Sequence, residues 1–299
     1  MLGELRAYSS DMTRGDGYAE QAASAYERAA AARERAANAE EAALRHDAWA
    51  LEPGQALHTE MAAALRKSAG CHRSSAELQE AFARRMTRWA QGHGAVRPRF
   101  MTGVAEACGT RSAALTLVDS GNSQLAVAAS NEPARAAQEL EFILGEGPTR
   151  DAVTHRGPVL ASGSVIEERW PCYGPALIAL GIREVAAVPL DTSLRRLGAL
   201  AVFDPRPGLI GTRAFAEVVE ALTRLVLLDP DADPDLYGGT DHRDVVQQAA
   251  GMVSVHVDCR VDDALALIKA RAFTLAMPLE SLARSIVSGD LKLTPEGPS

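Results

Sequence analysis

AALTLVDSGNSQLAVAA, residues 113–129, decides the fold class. Ala113 to Asp119 reads as an apolar strand, Ser120 to Ser123 as a reversing turn, and Leu125 to Ala129 as the return strand. The same grammar continues on both sides. Arg99 to Cys108 reads as a helix with Phe100, Val104 and Ala107 on one face. Phe142 to Leu144 reads as a short strand before the Gly145-Glu-Gly-Pro148 turn, Thr149 to His155 as a helix, and Val159-Leu160 as a strand. Tyr173 to Leu180 is a further helix. Val185 to Leu190 and Leu197 to Phe203 are apolar strands about a turn at Thr192 to Arg196, and Thr212 to Leu228 is an amphipathic helix. Short strands joined by hairpins as well as helices predict an α+β domain over residues 97–228, one antiparallel sheet with helices packed on it.

Outward from this domain the composition changes. Tyr18 to Leu51 contains no Gly or Pro and is dominated by Ala, Glu and Arg, a strong helix composition. Ala22, Ala25, Ala29, Ala32, Ala36, Ala39 and Ala43 step by three and four, the spacing of a heptad seam. Glu52-Pro53-Gly54 ends that helix, and a second follows over Leu57 to Gln91, with Leu78, Phe82, Met86 and Trp89 in one stripe. The pair over 18–91 is expected to form an antiparallel hairpin or a dimerising coiled coil. Residues 1–17 are polar and lack a signal-peptide core, and are expected to be disordered.

Beyond the sheet domain, Asp229 to Asp235 is acidic and broken by proline, so 229–240 reads as a linker. Three short helices follow over 241–293. Asp241 is the expected N-cap of the first, whose apolar face is Val245, Val246, Ala249, Met252 and Val253. Leu265, Ile268 and Ala272 line the second, from Asp262 to Leu275. The third opens at Pro278, carries Leu279, Leu282, Ala283 and Ile286, and stops at Gly289. Residues 294–299 are left as a tail.

Composition and motifs exclude several function classes. Hydrophobic residues are 47% of the chain but aromatics only 5%, so alanine carries much of the apolar count. A net charge of −8 argues against general coating of nucleic acid. Cys71, Cys108, Cys172 and Cys259 are far apart and form no CxxC, which predicts reduced thiols in a cytoplasmic protein, with Cys172 packed inside the domain. No apolar run is long enough to cross a bilayer. There is no GxxxxGK[ST] loop, no GxSxG elbow and no HExxH, so neither an enzyme nor a cofactor is expected. A receiver domain would need a parallel sheet, whereas the middle region reads as hairpins.

Two resemblances give these regions a function. Leu144-Gly-Glu-Gly-Pro148, Asp151-Ala-Val153, Gly157-Pro-Val-Leu160, Trp170-Pro171, Gly181-Ile182-Arg183, Val188-Pro189-Leu190 and Leu197-Gly198-Ala199-Leu200 resemble, in order, a GAF domain, most like those preceding ANTAR modules in actinobacterial regulators. That resemblance implies a small-molecule sensor or a dimerisation module. Gln248-Ala-Ala-Gly-Met252, Asp263-Ala264, Ile268-Lys269, Ala272, Leu279, Ala283 and Ile286-Val287 resemble the ANTAR family. It implies binding to paired RNA stem-loops in nascent transcripts, which keeps a terminator hairpin from forming. Carried over residue by residue, the RNA-binding set is Gln248, Ala249, Gly251, Ser254, Lys269, Arg271 and Arg284. Lys269 stands where the family usually has arginine. Cations anchor phosphates, Gln248 and Ser254 hydrogen-bond bases or phosphates, and the small Ala249 and Gly251 allow close approach. Ala250 and Arg260 depart from the family pattern, where a cation and a capping serine are usual. From 241 onward six Lys or Arg face eight Asp or Glu, a net −2, so RNA affinity is expected to be modest, salt-dependent and helped by a homodimer.

Overall fold

The computed structural model describes residues 2–51, 56–93, 96–192, 196–226, 241–275 and 277–293. Two long helices open the chain, α1 (Leu2–Ala50) and α2 (Ala56–Ala90). They lie against each other as an antiparallel pair within one chain. Ala22, Ala25, Ala29, Ala32, Ala36 and Ala43 are buried, so six of the seven seam alanines are covered. Alanine's small side chain lets two helices approach closely, and cross-helix ion pairs such as Arg33–Glu80 and Arg66–Asp47 flank the seam. α1 begins at Leu2, ahead of the Tyr18 start read from composition. The Glu52-Pro53-Gly54 breaker lies outside the described residues.

The α2 stripe packs within the chain, on the sheet domain. Leu78, Phe82 and Met86 are buried against Phe100, Met101 and Val104 of α3 (Phe100–Ala107) and against the central sheet. Phe82 and Phe100 meet edge to face at 5.9 Å between ring centres. A stripe wide enough to dock on a sheet is indistinguishable in sequence from one that docks on a second helix.

The sheet follows as β1 (Ser112–Val118), β2 (Gln124–Ala129), then α4 (Glu132–Leu144), α5 (Pro148–His155), β3 (Val159–Ser162), α6 (Ser164–Arg169), α7 (Tyr173–Ala179), β4 (Glu184–Asp191) and β5 (Arg196–Phe203). Helix α8 (Arg213–Ala221) and a single π turn (Leu222–Val226) close the domain. A final short strand, β6 (Asp241–His242), joins the same sheet, whose order is β3-β4-β5-β1-β2-β6 with antiparallel pairing throughout. One face is covered by α2, α3 and α8, and the other by α4 to α7.

Two elements differ from the sequence reading. Phe142 to Leu144 is the last turn of α4, not a strand. The helix is started by Asn131, whose Oδ1 accepts from the Ala134 amide, and by Pro133 in the first turn. Asp241 is in β6 opposite Val127 and not a helix cap, so the next helix starts three residues later. The 229–240 linker and the 294–299 tail lie outside the described residues.

Three helices end the chain, α9 (Asp244–Val257), α10 (Val261–Thr274) and α11 (Leu279–Val287). They share a core of Val246, Ala249, Val253, Ile268, Leu282 and Ile286 among others. Met252, expected inside, is exposed, because it falls one turn-step off the buried stripe.

Gly198 fixes how closely β5 passes β1. Its φ is +155°, and a Cβ there would lie 1.8 Å from the Thr116 carbonyl oxygen. Backbone on a central strand has no room to retreat. Gly198→Ala is expected to cost about 3–5 kcal/mol of stability, read as a lowered urea midpoint. A wild-type midpoint would contradict this strand crossing.

Candidate functional site

Helix α4 serves two cores at once. Gln138 and Glu141, one turn apart, face the sheet and are fully buried or nearly so. Glu139, Phe142 and Ile143 turn toward the C-terminal helices, and Phe142 and Ile143 pack on the core of α9 to α11.

The inward face carries a buried polar network. The Thr116 hydroxyl donates to Gln138 Oε1, and Thr149 Oγ1 reaches the same atom at 3.4 Å. Gln138 Nε2 donates to Glu141 Oε2 at 3.2 Å, and the Arg150 amide donates to Glu141 Oε1 at 2.6 Å. Burial pushes the Glu141 carboxyl up to about 7, against the pull of these hydrogen bonds. The chain passes over Glu141 only because residue 147 is glycine, where a Cβ would sit 2.6 Å from the Glu141 carboxyl carbon. The Tyr173 hydroxyl is buried beside this network with no hydrogen-bond partner among the described residues, and burial and then Glu141 push its phenol well up.

The neighbouring motif residues hold the local chain path. Glu146 Oε1 accepts from the amides of Cys172 and Tyr173 at 2.5 and 2.7 Å, satisfying the start of α7. Asp151 Oδ2 accepts from Arg169 Nε at 2.9 Å and from the Trp170 indole at 3.3 Å, which fixes a nearly fully buried Trp170. Cys172 itself is exposed rather than packed, because its backbone and not its thiol makes the contact.

The outward face of α4 docks the C-terminal helices. Lys269 Nζ donates to the Phe142 carbonyl at 2.6 Å and stands 3.8 Å from the centre of the Phe142 ring. Arg243 lies over the same ring at 4.6 Å, and its Nε donates to Gln124 Oε1 at 3.0 Å. Glu139 Oε1 accepts the Leu279 amide at 2.7 Å, a carboxylate on the open end of α11. Burial first, then Arg150 and Arg243, lower the Lys269 ammonium to about 8. A cleft of about 500 Å³ runs along this junction between β1, β2, α4 and α5 on one side and α10 on the other.

The structure does not gather the seven sequence-predicted residues into one surface. Gln248 and Gly251 lie together on the outer side of α9, in a groove of about 770 Å³ with Met252, Val255 and Lys292. Ala249 is wholly buried in the three-helix core. Ser254 Oγ donates to the Cys259 carbonyl at 2.6 Å, bracing the turn after α9. Lys269 faces the central domain, Arg271 is half-buried on α10, and the exposed Arg284 pairs with Glu280, Nε to Oε1 3.2 Å. Sequence reading missed Glu141, Phe142, Arg150 and Arg243. The first is marked only by the Gly-Glu-Gly-Pro turn that covers it, and the others gain a role through docking, which leaves no local pattern.

The Glu141 shift has a definite sign. The folded chain keeps a proton that the unfolded chain releases near 4.5, so the benefit of the neutral carboxyl is complete below that pH and is lost as pH rises through about 7. Stability of the wild type relative to Glu141→Gln is expected to fall across that window, by up to about 1.4 kcal/mol per pH unit. Parallel urea titrations of the two proteins measure it, and a flat difference would contradict the buried carboxyl.

No curated protein and no solved structure matches the chain. No helix among the described residues is long and apolar enough to cross a membrane. Strands β1 to β5, helices α3 to α8 and the glycine-bounded turn over Glu141 fall within the segment that matches a family model: a GAF domain is found at residues 99–227.

Proposed function

We propose that this chain is an RNA-binding transcription antitermination regulator, in which a GAF domain governs a C-terminal ANTAR module. The GAF domain senses a small molecule or brings two chains together, and α9 to α11 bind paired stem-loops of a nascent transcript. The observation that carries this reading is the junction at α4. A three-helix module with its own complete core is held on the sensor by Lys269, Arg243 and Leu279. An output module with a core of its own, docked through a small junction of polar contacts and the two side chains Phe142 and Ile143, is suited to controlled release. The chain has no catalytic role in this reading.

Two surfaces serve RNA in different ways. Gln248 and Gly251 on α9 are accessible beside Lys292, and Arg284 is exposed on α11. Lys269 becomes available to a phosphate only when the contact with Phe142 opens. The acidic balance of the module favours weak contacts multiplied in a dimer.

A second reading is favoured by Lys269 being engaged with the GAF domain and Arg284 with Glu280. The module then serves as a protein-interaction scaffold that no longer binds RNA.

Fluorescence anisotropy of the full chain on a two-hairpin RNA leader, over a range of salt, tests the first reading. Affinity is expected to fall with salt, and Arg284→Ala and Lys269→Ala are each expected to lower the salt slope by about 1. Absence of binding, or affinity indifferent to salt and to both substitutions, would sink it. Crosslinking in cells that recovers no enriched hairpins would support the scaffold.

A further inference from the structure

Charge is unevenly satisfied along the cleft between the GAF domain and α10. Three acids line it, apart from the deeper wall, and each has a partner. Asp119 Oδ1 accepts from the amides of Gly121 and Ser123, both at 2.8 Å. Glu141 is enclosed by Gln138 and the Arg150 amide. Asp262 lies 3.7 Å from Arg260. The two cations that line the cleft, Arg150 on α5 and Lys269 on α10, have no carboxylate within ion-pair distance among the described residues. Lys269 uses one of its three N–H donors on the Phe142 carbonyl.

This pairing is unfavourable as it stands. Arg150 and the buried Arg243 both bear on the Lys269 ammonium, which is itself partly desolvated. Arg150 and Lys269 are thus two cations lining one concave site that no ion pair engages among the described residues, whereas the acids lining it are hydrogen-bonded or paired. An oxyanion seated between them would complete the unused donors of Lys269, match the guanidinium fork of Arg150 and remove the repulsion. Gln247 of α9 lines the same cleft and supplies a neutral hydrogen-bonding group at its rim. The volume, about 500 Å³, is that of a small-metabolite site and too narrow to admit a nucleic-acid duplex.

We propose that this cleft binds a small molecule carrying a phosphate or carboxylate group, held by Arg150 from the GAF domain and Lys269 from the C-terminal module. The site is incomplete in either module alone. It rests on the reading of the GAF domain as a ligand sensor and specifies where the ligand sits and which group it must carry. An anion bridging the two cations tightens the α4 junction, so the bound state is the docked state.

Calorimetric titration of the full chain with inorganic phosphate, and separately with acetate, tests the site and separates the two anion chemistries. Saturable binding of at least one is expected. Lys269→Gln and Arg150→Gln should each weaken it by at least about tenfold, while Lys67→Gln, a surface cation of α2 outside the cleft, should leave it unchanged. Circular dichroism checks the fold of each variant. Arg150 is exposed on α5, so Arg150→Gln keeps the test decisive should Lys269→Gln unfold. No saturable binding of either anion, or equal binding by wild type and both cleft variants, overturns the site. Hydrogen exchange over α9 to α11 with and without phosphate then separates the two readings. Binding that needs both cations yet leaves exchange unaltered rejects regulation through the junction while the site stands. A small molecule that alters exchange without needing Arg150 or Lys269 rejects the site while ligand sensing stands.

Discussion

A single helix with two buried faces constrains everything around it. α4 must present Gln138 and Glu141 to the sheet and Phe142 and Ile143 to the C-terminal core, within less than two turns. A surface helix of a globular domain normally needs one apolar stripe. Here the inward face sets the enclosed Gln138 and Glu141 beside the buried Ala134 and Ala137, and Phe142 and Ile143 are shared with the C-terminal core. The inward face is tolerable only because each polar group is matched: a hydroxyl to Gln138, Gln138 to Glu141, and a backbone amide to Glu141. An enclosed carboxyl with so many partners cannot shift without breaking several hydrogen bonds together, so α4 is anchored on the GAF side.

That anchoring gives the outward face its meaning. Beside the packing of Phe142 and Ile143, its contacts are an ammonium on a carbonyl and a ring, a guanidinium over the same ring, and a carboxylate on a helix start. β6 adds a two-residue pairing to β2. Such contacts are individually small and weaken with salt or with a change of charge. The two faces of α4 are thus held differently, one by an enclosed hydrogen-bond network and the other by contacts that salt weakens.

Much of this architecture was legible in the sequence, and the parts that were not share a cause. The hairpin at 113–129 is marked by two short apolar runs about a turn of reversing residues, and both strands form within a residue of the reading. The alanine seam and the three C-terminal stripes are periodic and local, so they too could be read. Phe142 to Leu144 could not, since three consecutive apolar residues suit a strand as well as a helix that buries both sides. Lys269 illustrates the deeper limit. Its place on α10 follows from spacing, but whether it meets solvent or the Phe142 carbonyl depends on how two modules dock, and no residue near it encodes that.

The contacts of Lys269 follow from the chemistry of its side chain. An arginine carries five donors in a planar fork, a lysine one compact charge. Its compact ammonium fits under the Phe142 ring, and its charge responds to desolvation in a way that a guanidinium's does not. Arg243 meets the same ring at 4.6 Å. It is almost wholly buried, bonded to Gln124, and lies before α9.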